Sequence, residues 1–232
     1  AAGIGKTRLA VEVARPTAGR FPAGTWFVDL APLSTPELVA QTVADVLGVR
    51  AEAGAALADT VAAAMANREA LLVLDNCEHV VKTCAQLAEA MVTAGPHIRV
   101  LATSREPLGI PGEVVFSVSP LPVADSDEPW ERVAASEAVR LFGARAATVR
   151  PGFQVTEANA GLIRDICHRL DGMPLALELA AAHVAGLPLC DMALRLDHRF
   201  RLLDTGAGVA HGRHRGLGAA VEWSYDLLAE PE

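Results

Sequence analysis

The sequence has few cysteines, and this argues against a fold held together by disulfides. Its 232 residues contain four cysteines, and no two of them have C-x-x-C spacing: Cys77, Cys84, Cys167 and Cys190. A disulfide scaffold is not expected in a chain this long with so few cysteines. We therefore expect reduced thiols in a cytoplasmic protein. Cys77 and Cys84, seven positions apart, could share a helix face, and we expect them to pack in the core rather than to serve in metal binding or redox chemistry.

Basic charge and long apolar runs are also scarce. Lysine and arginine total 20 against 28 acidic residues, a formal net charge of −8. Wrapping nucleic acid requires a basic face, so this segment is not expected to bind DNA itself. No run of about 18 apolar residues is present, so we expect no membrane span. The start of the chain also lacks the apolar core of a signal peptide.

The N-terminal segment Gly-Ile-Gly-Lys-Thr reads as the second half of the phosphate-loop pattern G-x-x-x-x-G-K-[ST]. In such a loop the backbone N–H groups surround phosphate oxygens, Lys6 reaches the β and γ phosphates, and the Thr7 hydroxyl ligates Mg²⁺. A chance GKT in an ordinary loop is the alternative. The first glycine and its strand would precede Ala1, so we expect a segment of a longer protein. The candidate nucleotide-binding residues are Gly3, Ile4, Gly5, Lys6, Thr7 and Arg8.

A second motif is the apolar run LLVLD at residues 71–75, which ends in a carboxylate. Continuous apolar runs of this length are typical of strands covered by helices on both faces. Phosphate-loop NTPases need a second carboxylate on the metal side, at the end of a buried strand. Asp75 is therefore the candidate Walker B residue and, with Thr7, a candidate Mg²⁺ ligand. The alternative is an aspartate that caps the following helix.

Three residues near these strand ends determine what rate of ATP hydrolysis the sequence predicts. Asn76 stands where many hydrolytic members carry a second acid, and an amide cannot take a proton. Glu78 could orient water instead, or simply favour the start of the next helix. Arg105 follows a buried strand and could sense the γ phosphate, or be an ordinary surface arginine. Slow ATP hydrolysis is the expectation, with Asp75, Glu78 and Arg105 as candidate catalytic residues.

The order of elements predicts an α/β fold. Apolar strands are expected at 25–30, 71–75, 98–105 and 114–118, and helices at 6–14 (ended by Arg15-Pro16), 35–47, 56–67 and 79–93. Strands that alternate with helices imply a parallel sheet with helices on both faces, here a P-loop NTPase sheet without its first strand.

The second half of the sequence predicts helices alone, after a Pro- and Asp-rich linker at 121–129. They are expected at 136–149, 157–170, 174–185, 190–203 and 217–228. The turn Asp171-Gly172-Met173-Pro174 combines a glycine C-cap with a proline at the next helix start. We predict a nucleotide-binding domain at 1–124, a helical lid domain at 130–205 and the first helix of a winged-helix subdomain at 215–232.

Together these motifs resemble the NB-ARC core of the STAND signal-transduction ATPases, and more closely the ATPase segment of bacterial LuxR-type and SARP-type transcriptional regulators. The matching stretches cover nearly the whole chain in order: GIGKTRLA, WFVDLAPL, LLVLDNCEHV, LATSREPLGIPGE, SEAVRLF, ICHRLDGMPLALELAAA, LDHRFRLL and AVEWSYDLL.

The resemblance implies roles for these residues. Gly3, Gly5, Lys6 and Thr7 would bind phosphates and Mg²⁺, Asp75 would be the Walker B acid, and Arg105 the sensor. Pro174 would close over the nucleotide base. In such proteins ADP holds a closed resting state and ATP favours an open state that self-assembles. DNA is bound by a domain elsewhere on the chain.

Two other functions remain open from the residues. One is a metabolic P-loop kinase or phosphotransferase, which would need a basic cluster for the acceptor substrate. The other is an inactive scaffold that holds ADP permanently, an option that Asn76 keeps open.

Overall fold

The computed structural model describes residues 2–52 and 54–204, and only the backbone of 197–204. The described chain forms two compact units. One comprises Lys6–Ser117, and the other joins Ala1–Gly5 to the chain from Val118 onward. The predicted helix at 217–228 and the predicted winged-helix segment at 215–232 lie outside the described residues.

The first unit contains a sheet of three parallel strands. β2 (Ala70–Asp75) lies between β1 (Thr25–Asp29) and β3 (Ile98–Ala102). Asp29 is in register with Asp75 in the neighbouring strand. Because the strands are parallel, their carboxyl ends meet at one edge of the sheet, and this edge carries Asp75.

Helices cover both faces of this sheet, as the apolar run in β2 predicted. Leu71 and Val73 pack with Ala10 and Ala14 of the first helix. Leu72 and Leu74 point to the opposite face and join a larger core built with the other three helices. All six residues of β2 are buried. The four helices are α1 (Lys6–Thr17), α2 (Leu38–Leu47), α3 (Leu57–Met65) and α4 (Val81–Ala94).

The predicted strand at 114–118 is wrong. This segment pairs with no strand among the described residues, and the side chains of Val114 and Phe116 are 91% and 79% exposed. An apolar run becomes a strand only when its backbone N–H and C=O groups find a partner strand. Pro120 follows two residues after the run and offers no N–H to a ladder.

Helix α1 runs beyond its predicted end. Pro16 lies inside the last turn instead of ending the helix before it. Its missing N–H removes one backbone hydrogen bond. The hydroxyl of Thr17 donates to the carbonyls of Val13 and Ala14, at 3.2 and 2.9 Å, and so supplies a further donor to the same turn.

Helix α2 begins later than predicted. Its first residue is Leu38, and Thr35 and Pro36 form the turn before it, with their carbonyls accepting from the N–H groups of Leu38 and Val39. The predicted end is confirmed, since Gly48 adopts a left-handed conformation with φ 68° after Leu47.

The second unit is helical. Its core contains Phe142, Ile163, Ile166, Met173 and Leu177, all buried. The sequence did not predict the short first helix of this unit. Up to residue 204, the helices of this unit are α5 (Trp130–Ala135), α6 (Glu137–Val149), α7 (Glu157–Arg169), α8 (Pro174–Ala182) and α9 (Leu189–Asp204).

The turn between α7 and α8 has the predicted form. Asp171 and Gly172 both have positive φ, 52° and 61°, and Pro174 is the first residue of α8. The carbonyl of Gly172 accepts a hydrogen bond from the Leu121 N–H at 3.0 Å. A β-carbon on Gly172 would collide with the Leu121 carbonyl, so glycine is required by space as well as by conformation.

Across residues 2–52 and 54–204, none of the helices is long and apolar enough to cross a membrane.

Candidate functional site

The central feature of the sheet unit is the contact between Thr7 and Asp75. The Thr7 hydroxyl lies 2.8 Å from one carboxylate oxygen of Asp75 and 2.9 Å from the other, although the residues are 68 positions apart. Helix α1 brings Thr7 there because its second residue lies beside the carboxyl end of β2. The sequence named both residues, and the structure brings them together.

Thr103 is a further member of this cluster. Its hydroxyl donates to Asp75 Oδ1 at 2.6 Å and accepts from the Asn76 backbone N–H at 3.0 Å. Its own backbone N–H donates to the Leu74 carbonyl, and its carbonyl accepts from Cys77. The sequence analysis did not single out Thr103. The available indication was a polar residue directly after the apolar run that begins at Ile98.

Asn76 turns the chain sharply after β2. Its φ of 64° is in the left-handed region, which asparagine enters more readily than most residues. This turn lets the backbone N–H of Asn76 reach the Thr103 hydroxyl. Asn76 therefore has a conformational role, in addition to occupying the position where a second acid was considered.

The Thr7 and Asp75 oxygens are suited to Mg²⁺. Magnesium prefers oxygen ligands and is usually bound by one or two protein groups, with phosphates and water completing the octahedron. A hydroxyl and a carboxylate less than 3 Å apart offer the protein part of that set. In the part of the chain that the structure describes, no cluster of three or more His, Cys, Asp or Glu residues forms an all-protein metal site.

Glu78 and Arg105 form an ion pair. Arg105 Nε lies 3.0 Å from Glu78 Oε1, with the arginine side chain 54% exposed and the glutamate 17%. The other oxygen of Glu78, Oε2, is buried and has no hydrogen-bond partner among the described residues. Glu78 lies in the short 3₁₀ turn Cys77–His79 directly after Asp75 and Asn76. The sequence named Glu78 and Arg105 separately, without predicting that they pair.

The two glycines of the Gly-Ile-Gly-Lys-Thr segment have conformations that only glycine adopts easily. Gly3 and Gly5 have φ of 71° and 92°. Between them, the Ile4 side chain is buried in the core of the helical unit. Lys6 is the first residue of α1, and Arg8 lies exposed one position beyond Thr7.

Gly3 also contacts α8, within the helical unit. Its carbonyl accepts a hydrogen bond from the Leu175 N–H at 3.1 Å. Leu175 is the second residue of α8, where a helix N–H has no partner inside the helix. Pro174 precedes it and lacks an N–H, so the Leu175 N–H is the first backbone donor of α8, and the Gly3 carbonyl accepts its hydrogen bond. Contact between Pro174 and a nucleotide base stays a prediction.

The four cysteines are free thiols, as predicted. Cys77 and Cys84 are buried in the core of the sheet unit. A hydrogen bond to Cys84, burial, and the nearby carboxylates of Asp75 and Glu78 raise the pKa of the Cys77 thiol far above its usual range. Cys77 is therefore a neutral packing residue beside the cluster, and not a nucleophile.

Several proteins are similar to the chain over nearly its whole length. It is 41% identical over 230 residues to "Putative HTH-type transcriptional regulator Rv0890c" of Mycobacterium tuberculosis, and equally to the similarly named Mb0914c of Mycobacterium bovis. It is 35% identical over 230 residues to "Uncharacterized protein Rv0894" of Mycobacterium tuberculosis. No protein-family model matches the chain.

These similarities include 99% of the chain but only part of each relative. The chain spans 25% of the two regulators and 56% of the uncharacterized protein. The similarity thus extends across both units of the structure, and relates the chain to one portion of proteins named as transcriptional regulators.

Proposed function

We propose that this chain is an ATP- and ADP-binding switch module of a bacterial transcriptional regulator, with slow ATP hydrolysis. The observation that carries the proposal is the contact of Thr7 with Asp75. It joins the last residue of the GKT motif to a carboxylate at the end of a buried parallel strand. That pair is what a Mg²⁺–nucleotide site requires of the protein.

The binding roles follow from the motif. Gly3 and Gly5 leave backbone N–H groups accessible to phosphate oxygens, and Lys6 supplies a positive charge for the β and γ phosphates. Thr7 and Asp75 hold the metal ion, which when bound neutralises phosphate charge. Pro174, as the resemblance implies, contacts the base.

The names of the relatives support the proposed role in transcriptional regulation. Two proteins that are 41% identical to the chain are named HTH-type transcriptional regulators, and each is about four times as long as the matched segment. We propose that DNA is contacted by other parts of the protein, since this segment carries a net charge of −8. The nucleotide would act by binding two conformations of the regulator unequally, with self-assembly in the ATP state.

Slow hydrolysis follows from the residue after Asp75. Asn76 has no carboxylate with which to accept a proton from water, and Glu78 is engaged with Arg105. A general base normally contributes about 10²- to 10⁴-fold to such a reaction. A slow reaction is sufficient for a switch, whose output depends on how long each nucleotide stays bound.

The proposal is tested by calorimetric titration of ADP and of ATP, each with Mg²⁺, into the full-length protein and its Lys6→Ala variant. Binding that Lys6→Ala abolishes is the expected result. Lys82→Ala is the matched control, because Lys82 is the only other lysine of the chain and is exposed on α4. An equal loss of nucleotide affinity in Lys6→Ala and Lys82→Ala, or no nucleotide binding to the folded wild type, would refute the proposal.

A permanently ADP-bound scaffold is the second candidate, favoured by the absence of an acid at Asn76. Reporter transcription distinguishes the two. A switch loses its response to the inducing condition when Lys6 is replaced by alanine, whereas a scaffold loses thermal stability and keeps a constant output.

A further inference from the structure

We propose that Glu78 sets the preference of this site for ADP over ATP by holding Arg105 away from the terminal phosphate. The inference rests on the proposed nucleotide function, and names the residue that regulates it. It gives Glu78 a role in specificity that does not depend on activating water.

The geometry of the pair supports this role. Arg105 follows Thr103 by two residues, and Thr103 donates a hydrogen bond to Asp75 at 2.6 Å. Glu78 follows Asp75 by three residues. The ion pair of 3.0 Å between Arg105 Nε and Glu78 Oε1 therefore joins the two segments that lead away from the Thr103–Asp75 contact.

The surroundings of Glu78 make it dependent on Arg105. Its side chain is 17% exposed, and its Oε2 atom is buried without a hydrogen-bond partner among the described residues. A carboxylate with little access to water gains more from a guanidinium than a fully solvated one does. Arg105, in contrast, is 54% exposed and can leave the pair for another anion.

Competition between two anions then gives the preference. A γ phosphate attracts the Arg105 guanidinium, and to bind it the phosphate must displace Glu78 from the ion pair. ADP has no γ phosphate and leaves the pair intact. The Glu78 carboxylate thus lowers the affinity for ATP and leaves that for ADP unchanged.

Because the Arg105 side chain is half-exposed, the ion pair can change the affinity for ATP only modestly. Ion pairs of this kind contribute about 0.2–1 kcal/mol, which corresponds to roughly 1.4- to 5-fold in an equilibrium constant. Because Oε2 of Glu78 is buried, we expect the contribution of this pair to lie toward the upper end of that range. We expect Glu78→Gln to raise the affinity for ATP about three- to fivefold.

The test is a double-mutant cycle in the full-length protein. Affinities for ADP and for a non-hydrolysable ATP analogue, both with Mg²⁺, are measured for wild type, Glu78→Gln, Arg105→Gln and the double variant. The expected result is that Glu78→Gln strengthens analogue binding, changes ADP binding by less than about twofold, and has no effect on either nucleotide when Arg105 is already replaced.

Glu178→Gln is the matched control, because it removes another partly exposed glutamate ion pair, with Arg145 at 2.8 Å in the helical unit. It should leave both affinities unchanged. Glu78→Ala replaces Glu78→Gln if the latter does not fold, and the same rise in analogue affinity is expected.

The experiment distinguishes failure of the proposed nucleotide function from failure of the proposed role of Glu78. If wild type binds neither nucleotide, the proposed function fails and the role of Glu78 with it. If wild type binds both nucleotides but Glu78→Gln leaves the affinity for the analogue unchanged or lowers it, only the role of Glu78 is overturned. The same holds if Glu78→Gln raises the affinity for the analogue by the same factor in the Arg105→Gln background.

Discussion

Thr103 donates a hydrogen bond of 2.6 Å to Asp75, and the same hydroxyl accepts one from the backbone N–H of Asn76. One side chain thus fixes both the carboxylate and the turn that follows it. This contact joins the ends of two neighbouring strands, β2 and β3. The candidate metal ligand Asp75 is therefore oriented by a residue 28 positions further along the chain.

Replacing Thr103 by valine should damage both stability and nucleotide binding. The substitution keeps the shape but leaves the Asn76 N–H and one Asp75 oxygen with one partner fewer, at a cost of about 1–3 kcal/mol. Denaturant unfolding measures the loss, and calorimetry should show weaker Mg·ATP binding. Thr60→Val is the control, because Thr60 is equally buried and its hydroxyl donates to the carbonyl of Ala56, the N-cap of its own helix. Equal effects of the two variants would contradict the role of Thr103.

Gly172→Ala should destabilise the helical unit strongly. A β-carbon at this position would meet the Leu121 carbonyl, and the φ of 61° disfavours alanine independently. We expect a loss of about 3 kcal/mol or more, seen as a lower midpoint in thermal unfolding followed by circular dichroism. Gly161→Ala in α7 meets no atom within 4 Å, so it should be neutral or stabilise by about 0.5–1 kcal/mol. A harmless Gly172→Ala would refute the close approach of these two backbones.

Asn76→Asp should accelerate ATP hydrolysis. Aspartate has nearly the same shape, tolerates the left-handed backbone at φ 64°, and adds the carboxylate that a water-activating residue needs. We expect a rise of about tenfold or more in steady-state phosphate release. Asn76→Gly keeps the conformation without an acid and should stay at the wild-type rate. If both variants hydrolyse ATP at the wild-type rate, Asn76 is not the reason that the reaction is slow.

The cysteines should react with thiol reagents at very different rates. Cys190 is exposed, whereas Cys77, Cys84 and Cys167 are buried. Burial also raises the pKa of Cys167 to about 12, so almost none of it is thiolate at neutral pH. Maleimide labelling at pH 7, mapped by peptide mass spectrometry, should modify Cys190 first and the others only after denaturation. Early labelling of Cys77 would contradict the packed core around it.

Strand positions in the sheet unit were predictable because apolar runs flanked by helices have a clear pattern. The runs at 25–30 and 71–75 correspond to β1 and β2, whereas β3 covers only the first five residues of the run at 98–105. The run at 114–118 has the same composition and forms no strand, because strand formation depends on a partner that composition does not reveal. The prediction that α1 ends before Pro16 is wrong, because the hydroxyl of Thr17 offsets part of the free-energy cost of the missing proline N–H.

The sequence predicted most members of the candidate site, but it predicted neither Thr103 nor the contacts between the members. Motif spacing identified Thr7, Asp75, Glu78 and Arg105 as separate candidates. Their pairing depends on the sheet order and register that place β3 beside β2. Thr103 entered the cluster for the same reason, and the collision at Gly172 arises from Leu121, about 50 positions earlier in the chain.

The most direct test of the account is the Mg²⁺ dependence of ATP affinity in wild type, Thr7→Ser and Thr7→Val. Thr7 is the residue that links the GKT motif to Asp75, and serine keeps its hydroxyl while valine removes it. The account predicts that Mg²⁺ tightens ATP binding in wild type and Thr7→Ser, and that Thr7→Val loses this increase. An equal increase in all three proteins, or no ATP binding by folded wild type at any Mg²⁺ concentration, would contradict it.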